Sequence, residues 1–224
     1  MIGEEDPEES YLYRGDERVN YFTATDRVFD DLESTMRLII SEFAVNRVFI
    51  HAGVVGWKDR ALIFPGRSHS GKSTLIRELV GSGATYYSDE FAVLSAGGFV
   101  HPFPKNLSVR EEWARGWQVN YPIEAFGGIQ GTKPIRPEKF ILTSYRENGS
   151  TTISELTLGN GILELLKHTT TTRQSPALTL RFLRNATADA RIFVAERGEA
   201  NKFVEAILDQ ANLDNPDEDD KILR

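Results

Sequence analysis

Gly66 and Gly71 bracket a short loop that follows the apolar run Ala61-Leu62-Ile63-Phe64 and passes at once into Lys72, Ser73 and Thr74. The segment Gly66-Arg67-Ser68-His69-Ser70-Gly71-Lys72-Ser73-Thr74 fits G-x-x-x-x-G-K-S/T, the P-loop pattern. Each residue type has a physical reason. Two glycines let the backbone curl until its N–H groups converge on an anion. The free N–H groups opening the next helix favour phosphate. A lysine reaches β- and γ-phosphates, and a hydroxyl at Ser73 suits Mg²⁺. The context demands a strand before the loop and a helix after it, so the chain is expected to be α/β.

The remaining patterns agree with one P-loop domain over residues 18–211, a mixed central sheet flanked by helices. Residues 47–54 and 61–64 are near-continuous apolar strands, as in a sheet covered on both faces. Ser73–Val80 reads as the loop's helix. Thr85–Tyr87 and Phe91–Leu94 read as short strands, followed by a β-like stretch over 98–110. Residues 111–137 lack periodicity and read as an irregular, substrate-facing lid. Lys139–Tyr145 and Arg191–Ala195 are further strands; 160–169, 176–185 and 200–210 are helices. Leu32, Met36, Ile39, Ile40 and Phe43 recur at helical spacing within 30–44, which predicts a core-packed stripe. Residues 1–17 form a flexible arm by this reading, and the acidic segment 212–224 a mobile tail.

Composition removes several function classes. Net charge is -7, against the positive footprint that nucleic-acid binding needs. With no cysteine, thiol chemistry and disulfides are excluded, and the histidines His51, His69, His101 and His168 lack zinc spacing. No apolar run reaches the ~20 residues of a membrane helix, and the start of the chain lacks a secretory pattern. A cytoplasmic protein with neither nucleic-acid nor membrane partners is the expectation. Oligomeric state is open, a homo-oligomer included.

A phosphate loop needs an acidic partner at the end of a nearby strand. Asp89 and Glu90 follow the loop after a helix, a turn and a short strand. Adjacent carboxylates can divide the labour, one holding Mg²⁺ and the other accepting the proton of an attacking hydroxyl. His51 lies in the strand before the loop, either as a core residue or near Asp89.

Three elements in register, Phe49-Ile50-His51-Ala52-Gly53-Val54, then Leu62 through Leu75 around the loop, then Tyr87-Ser88-Asp89-Glu90, resemble the HPr kinase/phosphorylase superfamily. The likeness is to its catalytic domain and shorter relatives, and more distantly to the phosphoenolpyruvate carboxykinase type of P-loop fold. It covers roughly residues 30–210. The resemblance implies Asp89 as acid-base carboxylate, His51 as its support, and Lys72 as the catalytic lysine. It implies Ser73, Asp89 and Glu90 as Mg²⁺ ligands, and ATP as the nucleotide. Lys105 and Arg110, in the segment after the acids, are candidate substrate or phosphate contacts. His69 replaces the family's usual loop Gly, and Glu90 its usual Asp. No match to the dephosphorylation motif is seen, so phosphorylase activity is not expected.

The expected function is ATP- and Mg²⁺-dependent phosphoryl transfer to a hydroxyl acceptor, serine in a protein, peptide or free amino acid. Two alternatives stand beside it. One is a nucleotide-binding or hydrolysing module that regulates a protein partner. The other is phosphoryl transfer to a small carboxylate, which needs basic residues such as Arg110, Arg115, Arg136 and Arg146 to converge. Base preference is open.

Overall fold

The structure is a computed structural model that describes residues 10–22, 25–66, 70–110, 118–147 and 149–214. They fall into two units, Met1–Ala44 and Val45–Arg224, so residues 18–44 of the expected single domain group with the N-terminal unit. There, β1 (Ser10–Arg14) pairs antiparallel with β2 (Glu17–Phe22), and α1 (Thr25–Phe43) contacts both strands. Residues 10–14, read as part of the arm, are therefore a strand. The stripe read as core packing is a correction: Leu32, Met36, Ile40 and Phe43 are exposed, and Ile39 is half-buried. A two-stranded hairpin is too small a face to bury a helix of this length.

In the second unit β3 (Val48–Trp57) and β4 (Arg60–Pro65) form a hairpin about Lys58 and Asp59, both at positive φ, as a two-residue turn between twisted strands requires. The loop helix α2 (Lys72–Gly81) follows, then β5 (Thr85–Ser88), β6 (Phe91–Leu94) and β7 (Val100–His101). Next come β8 (Leu107–Arg110) and β9 (Gln118–Tyr121), an antiparallel pair apart from the main sheet. Part of the segment read as irregular is thus a strand, while 111–117 lie outside the described residues. β10 (Arg136–Tyr145), β11 (Thr152–Glu155), α3 (Leu158–Leu166), α4 (Pro176–Ala186), β12 (Arg191–Arg197) and α5 (Ala200–Asp214) complete the unit.

The sheet order is β11-β12-β10-β4-β3-β6-β7, with β5 also on β3. β4, β10 and β12 are parallel neighbours, while β3 runs against β4. The fold is α/β with a mixed central sheet flanked by helices.

Side chains alternate across this sheet. Leu62 and Phe64 join Leu75, Ile76 and Leu79 of α2 and Phe203, Val204 and Ile207 of α5 on one face. Ala61 and Ile63 join Ile162 and Leu165 of α3 and Phe182 and Leu183 of α4 on the other. Burial on both faces accounts for the unbroken apolar run in β4. Each such buried Leu, Ile, Val or Phe side chain contributes about 1.5–3 kcal/mol. Gly53 of β3 faces α2, and a Cβ there would stand 2.6 Å from Ile76 Cγ1, so glycine lets the helix come down onto the sheet. Trp57 Nε1 donates to Asn212 Oδ1 at 3.0 Å, and α5 runs on through Asp214. The segment read as a mobile tail is thus anchored at its start; 215–224 lie outside the described residues.

Candidate functional site

The end of β4 at Gly66, the histidine strand and the acidic pair meet in one row across three strands. Pro65 of β4 pairs with Ala52 of β3, and the Gly66 N–H donates to the His51 carbonyl at 3.0 Å. On the other side of β3, Ser88 pairs with Val54 and Phe91 with His51, which puts Asp89 and Glu90 opposite Ala52 and Gly53. The Ala52 N–H donates to the Glu90 carbonyl at 3.1 Å. β5 and β6 are therefore one bent line along β3, interrupted at the acids.

Ser88 causes the interruption. Its buried Oγ accepts from the N–H groups of Glu90 at 3.1 Å and Phe91 at 3.0 Å. A serine hydroxyl that satisfies nearby amides offers the backbone an alternative to the ladder. The chain can then turn the Asp89 carboxylate inward.

Asp89 is buried and receives three donors: Ser73 Oγ at 3.2 Å and the Ser108 N–H at 3.4 Å on Oδ2, and the Tyr86 hydroxyl at 3.2 Å on Oδ1. The Tyr86 hydroxyl also lies 2.8 Å from the Lys105 carbonyl, so one phenol hydrogen faces two acceptors. Burial, and next the Asp89 charge, push the Tyr86 pKa far up, which keeps it a neutral donor. Lys105 Nζ donates to Ser108 Oγ at 2.9 Å and stands 3.7 Å from Glu90 Oε2. Ser108 Oγ in turn donates to Asn120 Oδ1 at 2.8 Å. The β8–β9 pair thus walls the acid pocket.

On the loop side, Gly71 has φ +80°, a left-handed conformation that favours glycine, and α2 opens behind it without a side-chain cap. Its first amides are free of intrahelical partners. Lys72 is buried, with Nζ donating to the Gly66 carbonyl at 2.9 Å. Burial lowers its pKa to about 8, against the opposing pull of Asp89 and Glu90. Ser70 Oγ is buried with no hydrogen-bond partner among the described residues. An orphaned hydroxyl beside Gly71 and the first turn of α2 fits a phosphate oxygen. Thr74 is exposed on the first turn. Arg67, Ser68 and His69 lie outside the described residues, as does the side chain of Arg110, which ends β8.

His51 stands on the α2 side of β3, its ring 4.6 Å from that of Phe91. Burial first, then the Lys72 charge, lower its pKa; its hydrogen bond with the Glu90 backbone pulls the other way. A neutral imidazole follows. The donors on Asp89 come from Ser73, Tyr86 and Ser108, and the ring of His51 engages the backbone of Glu90 instead.

Four residues were missed by sequence reasoning. Tyr86 carries a signal, an aromatic hydroxyl one turn of chain before the acid; Ser108 and Asn120 carry none. The fourth is Arg197, the last residue of β12. It is buried, donating from Nη2 to the Gly71 carbonyl at 3.3 Å and from Nη1 to the Gly198 carbonyl at 3.2 Å. Burial pulls its pKa down, opposed by Tyr145 and Glu199.

Of the arginines suggested for a carboxylate site, Arg115 lies outside the described residues, as does the Arg110 side chain, and the other two stand apart. Arg136 begins β10, packs on Phe99 and lines a separate cavity of about 540 Å³ with Arg60 and Lys133. Arg146 follows the opposite end of that strand and pairs with Glu196 on the surface. No helix among the described residues is long and apolar enough to cross a membrane. Compared with protein-family models and with curated proteins, the chain matches none.

Proposed function

We propose that this chain binds a nucleoside triphosphate at Gly66–Thr74 and transfers its γ-phosphoryl group to a hydroxyl acceptor at Asp89, in the manner of the HPr-kinase-like enzymes it resembles. The observation that carries this reading is the 3.2 Å contact between Ser73 Oγ, at the mouth of the loop helix, and Asp89 Oδ2. It brings the loop and the acid within one ligand's reach.

The roles follow from the chemistry of each group. The Asp89 carboxylate takes the proton from the acceptor hydroxyl as its oxygen attacks phosphorus. Lys72 and the loop amides offset charge on the transferring group, the largest source of stabilisation in such reactions. Tyr86, Ser73 and Ser108 hold the carboxylate in one orientation. Lys105, beside Glu90, sits where it can meet the acceptor or the γ-phosphate. A Mg²⁺ ion, held by Ser73 and Asp89 with Glu90 nearby, would neutralise the phosphate oxygens. Among the described residues no set of three His, Asp or Glu gathers for a metal. That suits a cation held largely by the nucleotide, as Mg²⁺ commonly is.

The test is incubation with γ-labelled ATP, Mg²⁺ and a panel of serine, small polyols and cell-extract peptides, with Lys72→Ala as control. Label in an acceptor, lost in the control, supports the kinase. Release of phosphate alone argues for a hydrolysing module.

A further inference from the structure

The phosphate loop is flanked on both sides, and the second flank has no role in the chemistry above. β4, β10 and β12 are parallel neighbours, so their carboxyl ends share one edge of the sheet. Ligands of open α/β sheets bind outside that edge. The loop leaves β4 there. Asp89 and Glu90 approach from the β3 side of β4; on the opposite side β10 ends at Tyr145 and β12 at Arg197, a pair in register. A linear triphosphate has two ends. If its reacting end meets Asp89, its nucleoside end must leave on the other side, over β10 and β12.

What stands there is a stacking surface. Tyr145 is 53% exposed, at the lip of the site. The guanidinium carbon of Arg197 lies 5.5 Å from the ring centroid, and the Tyr145 hydroxyl donates to Glu199 Oε1 at 3.4 Å. Arg197 is itself clamped to the Gly71 carbonyl, and its buried Nε has no hydrogen-bond partner among the described residues. Ring, cation and phosphate loop are thus coupled through one side chain. An isolated exposed tyrosine is ordinary; one held by an arginine that also grips the loop is placed for a ligand spanning both. Aromatic rings stack on any nucleobase, and a neighbouring guanidinium adds attraction. Glu199 can accept from an exocyclic amino group.

Building on the phosphate-binding reading above, the geometry points to Tyr145, backed by Arg197 and Glu199, as the site that takes the base of the nucleotide, an amino-bearing purine.

The test compares Mg·ATP with Mg·tripolyphosphate, which shares the phosphates and lacks the base, by titration calorimetry on the full chain. Wild type should bind ATP more tightly than tripolyphosphate. Tyr145→Ala should weaken ATP about tenfold and leave tripolyphosphate unchanged, while Tyr145→Phe, which keeps the ring, should bind ATP within about twofold of wild type. An unshifted thermal transition in Tyr145→Ala would show that the fold is intact. ATP binding at wild-type strength in Tyr145→Ala, with Lys72→Ala losing both ligands, overturns the base site and leaves the phosphate site standing. Failure of wild type to bind either ligand overturns both.

Discussion

Arg197 Nη2 lies 3.3 Å from the carbonyl oxygen of Gly71, and a Cβ on Gly71 would come within 2.6 Å of that same nitrogen. The last strand of the parallel set therefore grips the end of the Gly66–Thr74 loop, at a residue whose backbone is left-handed. Both glycines of the motif are tied to the sheet, Gly66 to the histidine strand and Gly71 to Arg197.

Gly71→Ala should accordingly be costly twice. A left-handed conformation costs an L-residue about 1–2 kcal/mol, and the new methyl displaces the Arg197 guanidinium. Denaturant unfolding should show a loss of that order, together with nucleotide affinity reduced by more than about tenfold. Gly81→Ala is the contrast. It ends α2 with open space around it, and should raise stability by about 0.5–1 kcal/mol with affinity unchanged. Equal behaviour of the two variants would remove the special status of Gly71.

Asp89→Asn should separate binding from transfer. The amide can keep its oxygen toward Ser73 and the Ser108 N–H and turn its NH₂ toward the Tyr86 oxygen, whose own hydrogen then goes to Lys105. The hydrogen-bond set survives, so folding should change by about 1 kcal/mol or less. An amide cannot take a proton, so transfer should fall about 10²–10⁴-fold, while ATP affinity, which loses only the carboxylate charge beside Mg²⁺, should fall far less. A variant with full transfer would exclude Asp89 as the base.

Much of this site was legible in the sequence because its parts are local. The loop, the strand before it and the helix after it occupy one unbroken segment. The acids stand one short strand beyond. The unbroken apolar character of Ala61–Phe64 announced a sheet covered on both faces, and α2 and α5 on one side and α3 and α4 on the other supply the cover. What stayed hidden is non-local. Ser108 and Asn120 reach the acid pocket only because β8 and β9 pair, and β9 lies in a segment rich in Gly and Trp without alternation. Arg197 meets Gly71 through a strand far along the chain. The α1 stripe shows the converse, since helical periodicity says which side chains share a face and nothing about what covers it.

The buried ammonium of Lys72 gives the site a pH signature. Its pKa falls to about 8 in the folded chain from an ordinary value of 10.5. Between those values the unfolded chain holds a proton that the folded chain has released. Stability must therefore rise with pH across that window, and below pH 8 the buried charge costs about 3 kcal/mol. Lys72→Met removes both effects: without nucleotide it should be more stable than wild type at pH 7, and its difference from wild type should shrink as pH climbs from 8 to 10.5. Phosphate binding needs the charged form, so wild-type affinity should decline above pH 8, with proton uptake on binding detectable by calorimetry in two buffers. A pH-independent stability difference would contradict the burial of this charge.

Gly53→Ala tests whether α2 must lie close to the sheet. The new Cβ would stand 2.6 Å from Ile76 Cγ1 and 2.7 Å from Cδ1, so the helix has to lift or Ile76 has to leave its rotamer. Overpacking of this kind costs about 1–3 kcal/mol. Because the same helix begins with Lys72 and Ser73, lifting it also carries the lysine and the hydroxyl away from Asp89, and nucleotide affinity should fall in parallel. Ile76→Ala alone opens a cavity and should cost about 2–5 kcal/mol. In the double variant the alanine methyl at 53 moves into space that Ile76 has vacated. The two losses should then add to less than their sum, with a coupling of about 0.5–3 kcal/mol in denaturant unfolding and a partial return of affinity. Strict additivity would mean that the helix does not rest on Gly53, and that another contact sets the height of the loop above the acids.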